Sequence, residues 1–337
     1  MQSILDPAIL FFVFGVLAGT VRSNLEIPPQ ISRFLSLYLL MALGLKGGFA
    51  LAKSGLTAEV AITLGAAVAL AVVIPAVGYM LLRRFLSGFD AAAIAATYGS
   101  VSAVTFITAI QYLETNQIVY GGHMAAAMAL MESPAIIMAV VFANALRQNP
   151  AASAVVGRGG AAAVVGAPVT GGGHIPLGKI LHESFTDGAQ LLLLGAMVIG
   201  MTTGAAGQEM MAPFSVDLFK GMLAFFLLDM GLMAARNMGE LKGKPPALLA
   251  YAVLAPLVHA VLALGVAMAL GISAGNGALL MVLAASASYI AVPAVLRYAI
   301  PEAKPSLYFG MSLGLTFPFN IVLGIPLYVA VAQRVLD

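Results

Sequence analysis

Residues 97–106 read TYGSVSAVTF, in which Thr97, Ser100, Ser102 and Thr105 crowd around Gly99 in a chain otherwise dominated by apolar side chains. Hydrophobic residues make up 61% of the 337 and charged residues 9%, with a mean hydropathy of +1.01, far from the balance of a soluble domain. The chain therefore reads as an all-α integral membrane protein, and the hydroxyl cluster falls where lipid-facing side chains would be expected. A balance of 16 basic against 14 acidic residues gives no reason to expect nucleic acid as a partner. With no cysteine, disulfides, thiolate metal sites and cysteine nucleophiles are excluded. The opening MQSILDPAILFFVFG lacks the basic start and cleavage site of a signal peptide, so its apolar run is read as the first span.

Outward from TYGSVSAVTF, charge-poor runs long enough to cross about 30 Å of hydrocarbon fall at about 5–21, 32–53, 58–82, 90–112, 120–146, 183–203, 213–236, 246–272, 275–298 and 306–334. They make ten expected transmembrane helices. A β-barrel is excluded because the runs are too long, too rich in Ala, Leu and Gly, and do not alternate. The connections after the odd-numbered spans hold Arg22, Arg33, Arg83, Arg84, Arg147, Arg158, Lys179, Arg236, Lys242, Lys244, Arg297 and Lys304, which is 12 of the 16 basic residues. The positive-inside rule then places those connections in the cytoplasm and both termini outside.

A Gly- and Ala-rich connection at 149–179 divides the chain, and the two sides echo each other. LMALGLKGG near residue 40 recurs as LLDMGLMAA near 227, with Gly44 matching Gly231. SVSAVTFITAIQY from Ser100 matches SASYIAVPAVLRY from Ser286, and Pro134 matches Pro318. Five spans per side make the second copy inverted, so residues 1–148 and 180–337 are expected to form two inverted five-helix repeats.

On that plan Ser100, Ser102 and Thr105 lie mid-span in the fourth helix, and Ser286, Ser288 and Tyr289 mid-span in the ninth. Unwinding from Gly99 to Ala103 would bring amides and hydroxyls together near the midplane. The positive end of a half-helix would face an anion, or its carbonyls would hold a small cation such as sodium. The plainer role for such serines is to bond back to the preceding turn or to allow close helix packing. Two acids, Glu132 and Asp229, fall inside expected spans and each needs a partner, a proton or an ion. Glu132, two residues before Pro134, is the stronger candidate for an ion site, with an interhelical contact as its rival reading. Lys46 is expected to snorkel, pair with an acid or touch substrate, and Pro293 and Pro318 to kink or interrupt their helices. GRGG and GGGH lack the context of a phosphate loop. His123, His174, His182 and His259 lack metal-ligand spacing, and no base lies near Ser102 or Ser288, which argues against an enzyme. A channel is a better alternative, although proline-interrupted paired helices suit alternating access more than a permanent pore.

The segments LLMALGLKGG, GSVSAVTFITAIQYLE at 99–114, MESPAI at 131–136, MGELK at 238–242, LAPLVHA at 254–260 and LAASASYIAVPAVLRYAIPEAKPSLYFG at 283–310 carry a resemblance. On them the chain is similar to the SbtA family of sodium-dependent bicarbonate transporters over nearly its whole length, apart from 149–179. The resemblance implies a gate (1–55 and 183–238), a core (58–146 and 246–334) with broken crossing helices, and a homotrimer in the bacterial inner membrane. It implies no cofactor, sodium as the coupling ion, and a PII-like cytoplasmic regulator of some members. Carried over by position, the site would draw on Gly99, Ser102, Ala103, Val104, Thr105, Ser286, Ser288 and Tyr289, beside Ser100, with Ser102, Thr105, Glu132 and Ser288 as expected sodium ligands.

Two departures qualify this. Ala103 and Val104 stand where the family has glycine and serine, which removes a hydroxyl and some backbone freedom. Tyr289 stands where the family has an acid, followed by Ala291 and Val292 in place of serine and glycine, so a full negative charge is missing. The alternatives that follow are another small or organic anion moved without the same sodium coupling, or an anion sensor that does not turn over.

Overall fold

The computed structural model describes residues 6–55, 57–148, 188–241 and 243–337. The 149–179 connection lies outside the described residues, as do Arg158, His174, Lys179, His182 and Lys242. Among the described residues every regular element is helical.

The first helix, α1 (Pro7–Thr20), is started by Asp6, whose carboxylate accepts the Ala8 N–H at 2.8 Å, with Pro7 preset for the first turn. Next come α2 (Pro29–Ser54) and α3 (Ala58–Leu82), the latter capped by Thr57. The short helices α4 (Gly88–Gly99) and α5 (Ala103–Thr115) follow, then α6 (Met124–Gln148). Beyond the undescribed stretch, α7 (Gly188–Ala212) runs through a π turn at Pro213–Asp217 into α8 (Phe219–Met238). The chain continues with α9 (Pro246–Leu270), α10 (Ala274–Ala285) and α11 (Ala291–Ala299). It ends in α12 (Pro305–Leu336), an apolar run containing π turns at Ser312–Thr316 and Asn320–Gly324.

Among the described residues, seven helical runs are long and apolar enough to cross a membrane, which makes this a multi-pass membrane protein. The difference from ten expected spans has three sources. Helix α1 has 14 residues and α10 has 12, each short of a full crossing, and Gly188–Met238 counts as one 51-residue run although its backbone leaves the helical region at Gly204 (φ 55, ψ −139), where the sixth expected span ends. Phe11, Phe14 and Leu17 on α1, Val72, Val77 and Met80 on α3, and Leu254, Val258 and Val261 on α9 are exposed, as surfaces solvated by acyl chains should be.

Prolines inside α3, α6 and α9 do not end those helices, and at Pro256 a neighbouring helix takes up what the proline leaves. Pro256 has no N–H to offer the carbonyl of Ala252. The Thr316 hydroxyl donates to that oxygen at 2.7 Å, and the Tyr98 hydroxyl lies 2.6 Å from Thr316. Pro293 falls in the first turn of α11, where a missing N–H costs nothing, so it starts a helix rather than kinking one. Pro318 lies between the two π turns of α12.

Two helix pairs approach backbone to backbone. A Cβ on Gly15 would lie 3.1 Å from the Gly231 Cα, and one on Gly19 would lie 2.7 Å from the Ala235 Cβ, so α1 and α8 run parallel. A Cβ on Gly44 would lie 2.8 Å from the Ala196 Cβ, and one on Gly48 would lie 2.9 Å from the Gly200 Cα, so α2 and α7 run parallel as well. Small residues permit this closeness where no hydrophobic effect drives helices together.

Candidate functional site

The stretch TYGSVSAVTF is a break between two helices. Helix α4 ends at Gly99, Ser100 is extended (φ −95, ψ −175), and Ser102 caps α5 by accepting the Thr105 N–H at 3.2 Å. A side chain at Gly99 would come within 2.6 Å of three ring carbons of Pro75 on α3, so only glycine lets α4 end there. The second half has its own break. Helix α10 ends at Ala285, Ser286 is extended (φ −81, ψ 164), and the Ser288 hydroxyl accepts the Val292 N–H at 3.3 Å in the first turn of α11.

The two breaks touch. The Ser102 N–H donates to the Ser286 hydroxyl at 2.9 Å, and the Ser288 N–H donates to the Thr97 carbonyl at 2.8 Å. Thr97, Ser100, Ser102, Thr105, Ser286 and Ser288 are all buried. The Ser286 hydroxyl donates back to Leu283, the bond expected of an ordinary helical serine, while also accepting across the crossing. From α12, the Asn320 amide donates to the terminal carbonyl of α10 at Ala285 (2.8 Å) and accepts the Tyr328 hydroxyl (3.0 Å).

A cavity of about 220 Å³ opens beside the crossing. Ser102, Ala103, Val104, Ser288, Tyr289 and Glu132 line it; Gly99, Ser100, Thr105 and Ser286 stand behind its wall. The opposite wall comes from Ser36 and Leu40 of α2 and from Ala189, Gln190 and Leu193 of α7. The first residues of α5 (Ala103, Val104) and of α11 (Ala291) face the same space, so the positive ends of two helices converge on it. Thr105 donates its hydroxyl to Ser102 Oγ at 2.9 Å. Glu132, the acid on this wall, accepts from Gln190 Nε2 at 2.6 Å across the cavity. Tyr289 packs edge-on against Phe317 with centroids 5.2 Å apart, its hydroxyl directed at the Met230 sulfur.

Other expected residues lie elsewhere. Lys46 pairs with both Glu114 oxygens at 3.1 Å and sits 4.2 Å from the Phe219 ring centroid, which makes it a clamp between α2 and α5. Asp229 is buried, its Oδ2 without a partner, and is not part of the cavity wall. Far along α6, Arg147 forms a two-pronged bridge to Glu302 with both bonds at 2.9 Å. Burial opposes the charge of Glu302, but the Arg147 bonds outweigh it and hold the carboxyl below its usual range. Among the described residues no cluster of His, Asp and Glu is arranged to hold a metal ion. Gln190 and Asn320 are not among the residues the sequence singles out, although each is an amide inside an expected span.

No curated protein matches the chain. The sequence model of the Na+-dependent bicarbonate transporter superfamily matches residues 7–333, nearly all of it.

Proposed function

Because this chain belongs to the Na+-dependent bicarbonate transporter superfamily, we propose that it is a secondary active transporter that imports bicarbonate coupled to sodium and does no covalent chemistry. The observation that carries this is the convergence of two helix N-termini and the Ser102 and Ser288 side chains on one cavity. Partial positive charge at those helix starts suits a small oxyanion. Sodium, as co-substrate, takes oxygen ligands from Ser102, Thr105, Ser288 and Glu132.

The parallel pairs support inverted repeats of 1–148 and 180–337. A two-fold relating the halves exchanges α1 with α7 and α2 with α8, which turns the α1–α8 pair into the α2–α7 pair, and both pairs close through glycines. The cavity lies between α2 and α7 of a gate (1–55, 183–238) and the crossing helices of a core (58–146, 246–334), the seam that alternating access would open. With ten spans, both termini face outside the bacterial inner membrane; a homotrimer and a PII-like regulator on the cytoplasmic face complete the reading.

A second reading is favoured by the wall itself. Ala103, Val104, Tyr289 and Ala291 make it largely apolar, which suits a larger organic anion moved or merely sensed. Uptake of labelled bicarbonate into proteoliposomes, with and without an inward sodium gradient, separates the two. Sodium-dependent accumulation that disappears in Ser102→Ala upholds the first. Inactive wild type in intact vesicles sinks it, and uptake gained by Tyr289→Asp would then identify the absent carboxylate as the reason.

A further inference from the structure

A second polar pocket, of about 290 Å³, lies at the other end of α5, where α1 begins. Asp6, Thr108, Gln111, Tyr112, Thr115 and Asn116 line it, with Leu223 of α8 at its floor. Gln111 is 3% exposed, and its amide oxygen is buried with no hydrogen-bond donor. An orphaned amide oxygen in a membrane protein is costly unless something fills its place.

The chemistry of the wall is one-sided. Thr108 commits its hydroxyl proton to the Val104 carbonyl (2.8 Å), the Gln111 NH2 donates to Thr115 Oγ1 (2.9 Å), and the Asn116 NH2 donates to the Tyr112 carbonyl (2.8 Å). Each amide keeps a second N–H, but the Gln111 amide oxygen and the Thr108 hydroxyl oxygen are left as acceptors beside the Asp6 carboxylate. An anion would meet the charge of that carboxylate. A small hard cation would find several oxygens and one charge, the donor set such ions prefer. The pocket adjoins the C-terminal end of α5, whose partial negative charge adds to this, and Asp6 offsets the positive end of α1 that it caps.

We propose that this pocket binds sodium, with the Gln111 amide oxygen, the Asp6 carboxylate and the Thr108 hydroxyl oxygen as ligands. Thr105, Thr108, Tyr112 and Thr115 recur three and four residues apart, so one face of α5 carries polar groups from the Ser102 cap to the pocket. At 1.5 Å per residue the Ser102 and Gln111 positions lie about 14 Å apart along the axis. With both termini outside, the pocket is the extracellular loading position for the ion that accompanies bicarbonate. That role rests on the transport reading, whereas the binding itself does not.

The test is equilibrium binding of 22Na+ to purified full-length protein in nanodiscs, with choline replacing sodium. Gln111→Leu and Asp6→Asn are each expected to weaken one binding component about 10- to 100-fold, the loss typical when a metal site is stripped of a supporting group. The component persists in Ser102→Ala. If both variants match wild type, or wild type binds no sodium, the site is overturned. Should Gln111→Leu fail to fold, Asp6→Asn at the helix end decides alone. Binding lost in both variants while wild type never accumulates bicarbonate would sink the transport reading and keep the site.

Discussion

The two helix breaks are made of similar residues and held by different means. The break at Ser100–Ser102 is short and fixed by shape, with Gly99 pressed on the Pro75 ring and Ser102 capping the helix that follows. The break at 286–290 is longer and fixed by hydrogen bonds reaching in from another helix, with Asn320 holding the Ala285 carbonyl and Tyr328 holding Asn320. A crossing of this kind needs its loose carbonyls and amides satisfied, and either a close fit or an imported amide will do it. The difference predicts different failures when each support is removed.

Replacing Asn320 by leucine should have the largest effect, because it strands both the Ala285 carbonyl and the Tyr328 hydroxyl. At about 1–3 kcal/mol for each buried group left unpaired, thermal unfolding in detergent should show a loss of several degrees, and uptake should vanish. Wild-type stability in that variant would break the contrast outright. Gly99→Val comes next, since overpacking a tight contact costs about 1–3 kcal/mol. If uptake survives, the Pro75 ring does not set the first break. Ser286→Ala should cost about 1–2 kcal/mol, because the Ser102 N–H loses its acceptor, and its coupling to Asn320→Leu in a double-mutant cycle would measure how far the breaks act as one unit. The smallest effects belong to the two hydroxyls that accept first-turn N–H groups, the Ser102 cap of α5 and Ser288 before α11. Ser102→Ala and Ser288→Ala should each cost about 1 kcal/mol of stability, comparable by thermal melting, while uptake falls more in Ser102→Ala because Thr105 also relies on that hydroxyl.

Much of this arrangement is readable before any coordinates. Hydroxyls and a glycine inside an apolar run make TYGSVSAVTF a candidate break, and its match to SASYIAVPAV a second one, although the same serines would also suit back-bonding in an intact helix. The supports are harder to read. Pro75 becomes visible as Gly99's neighbour only once α3 and α4 are packed, and Asn320 and Gln190 act across 35 and 58 residues of chain respectively. Pro293 is expected to kink or interrupt its helix, and it stands in the first turn of α11, just past the break at 286–290, where its missing N–H is not required. Lys46 had three readings, and only the position of Glu114 selects the ion pair.

The glycine contacts have a mechanical consequence. Where Gly15 meets Gly231 and Gly48 meets Gly200, the helix backbones lie against one another with no layer of side chains between them. Side chains can change rotamer and let surfaces slip, like bearings, but peptide groups in direct contact have nothing to roll on. The α1–α8 and α2–α7 pairs are therefore welds. The neighbouring seam is tied by side chains instead, Glu132 to Gln190 across the cavity and Lys46 to Glu114 between α2 and α5, and such bolts can be drawn without parting backbones.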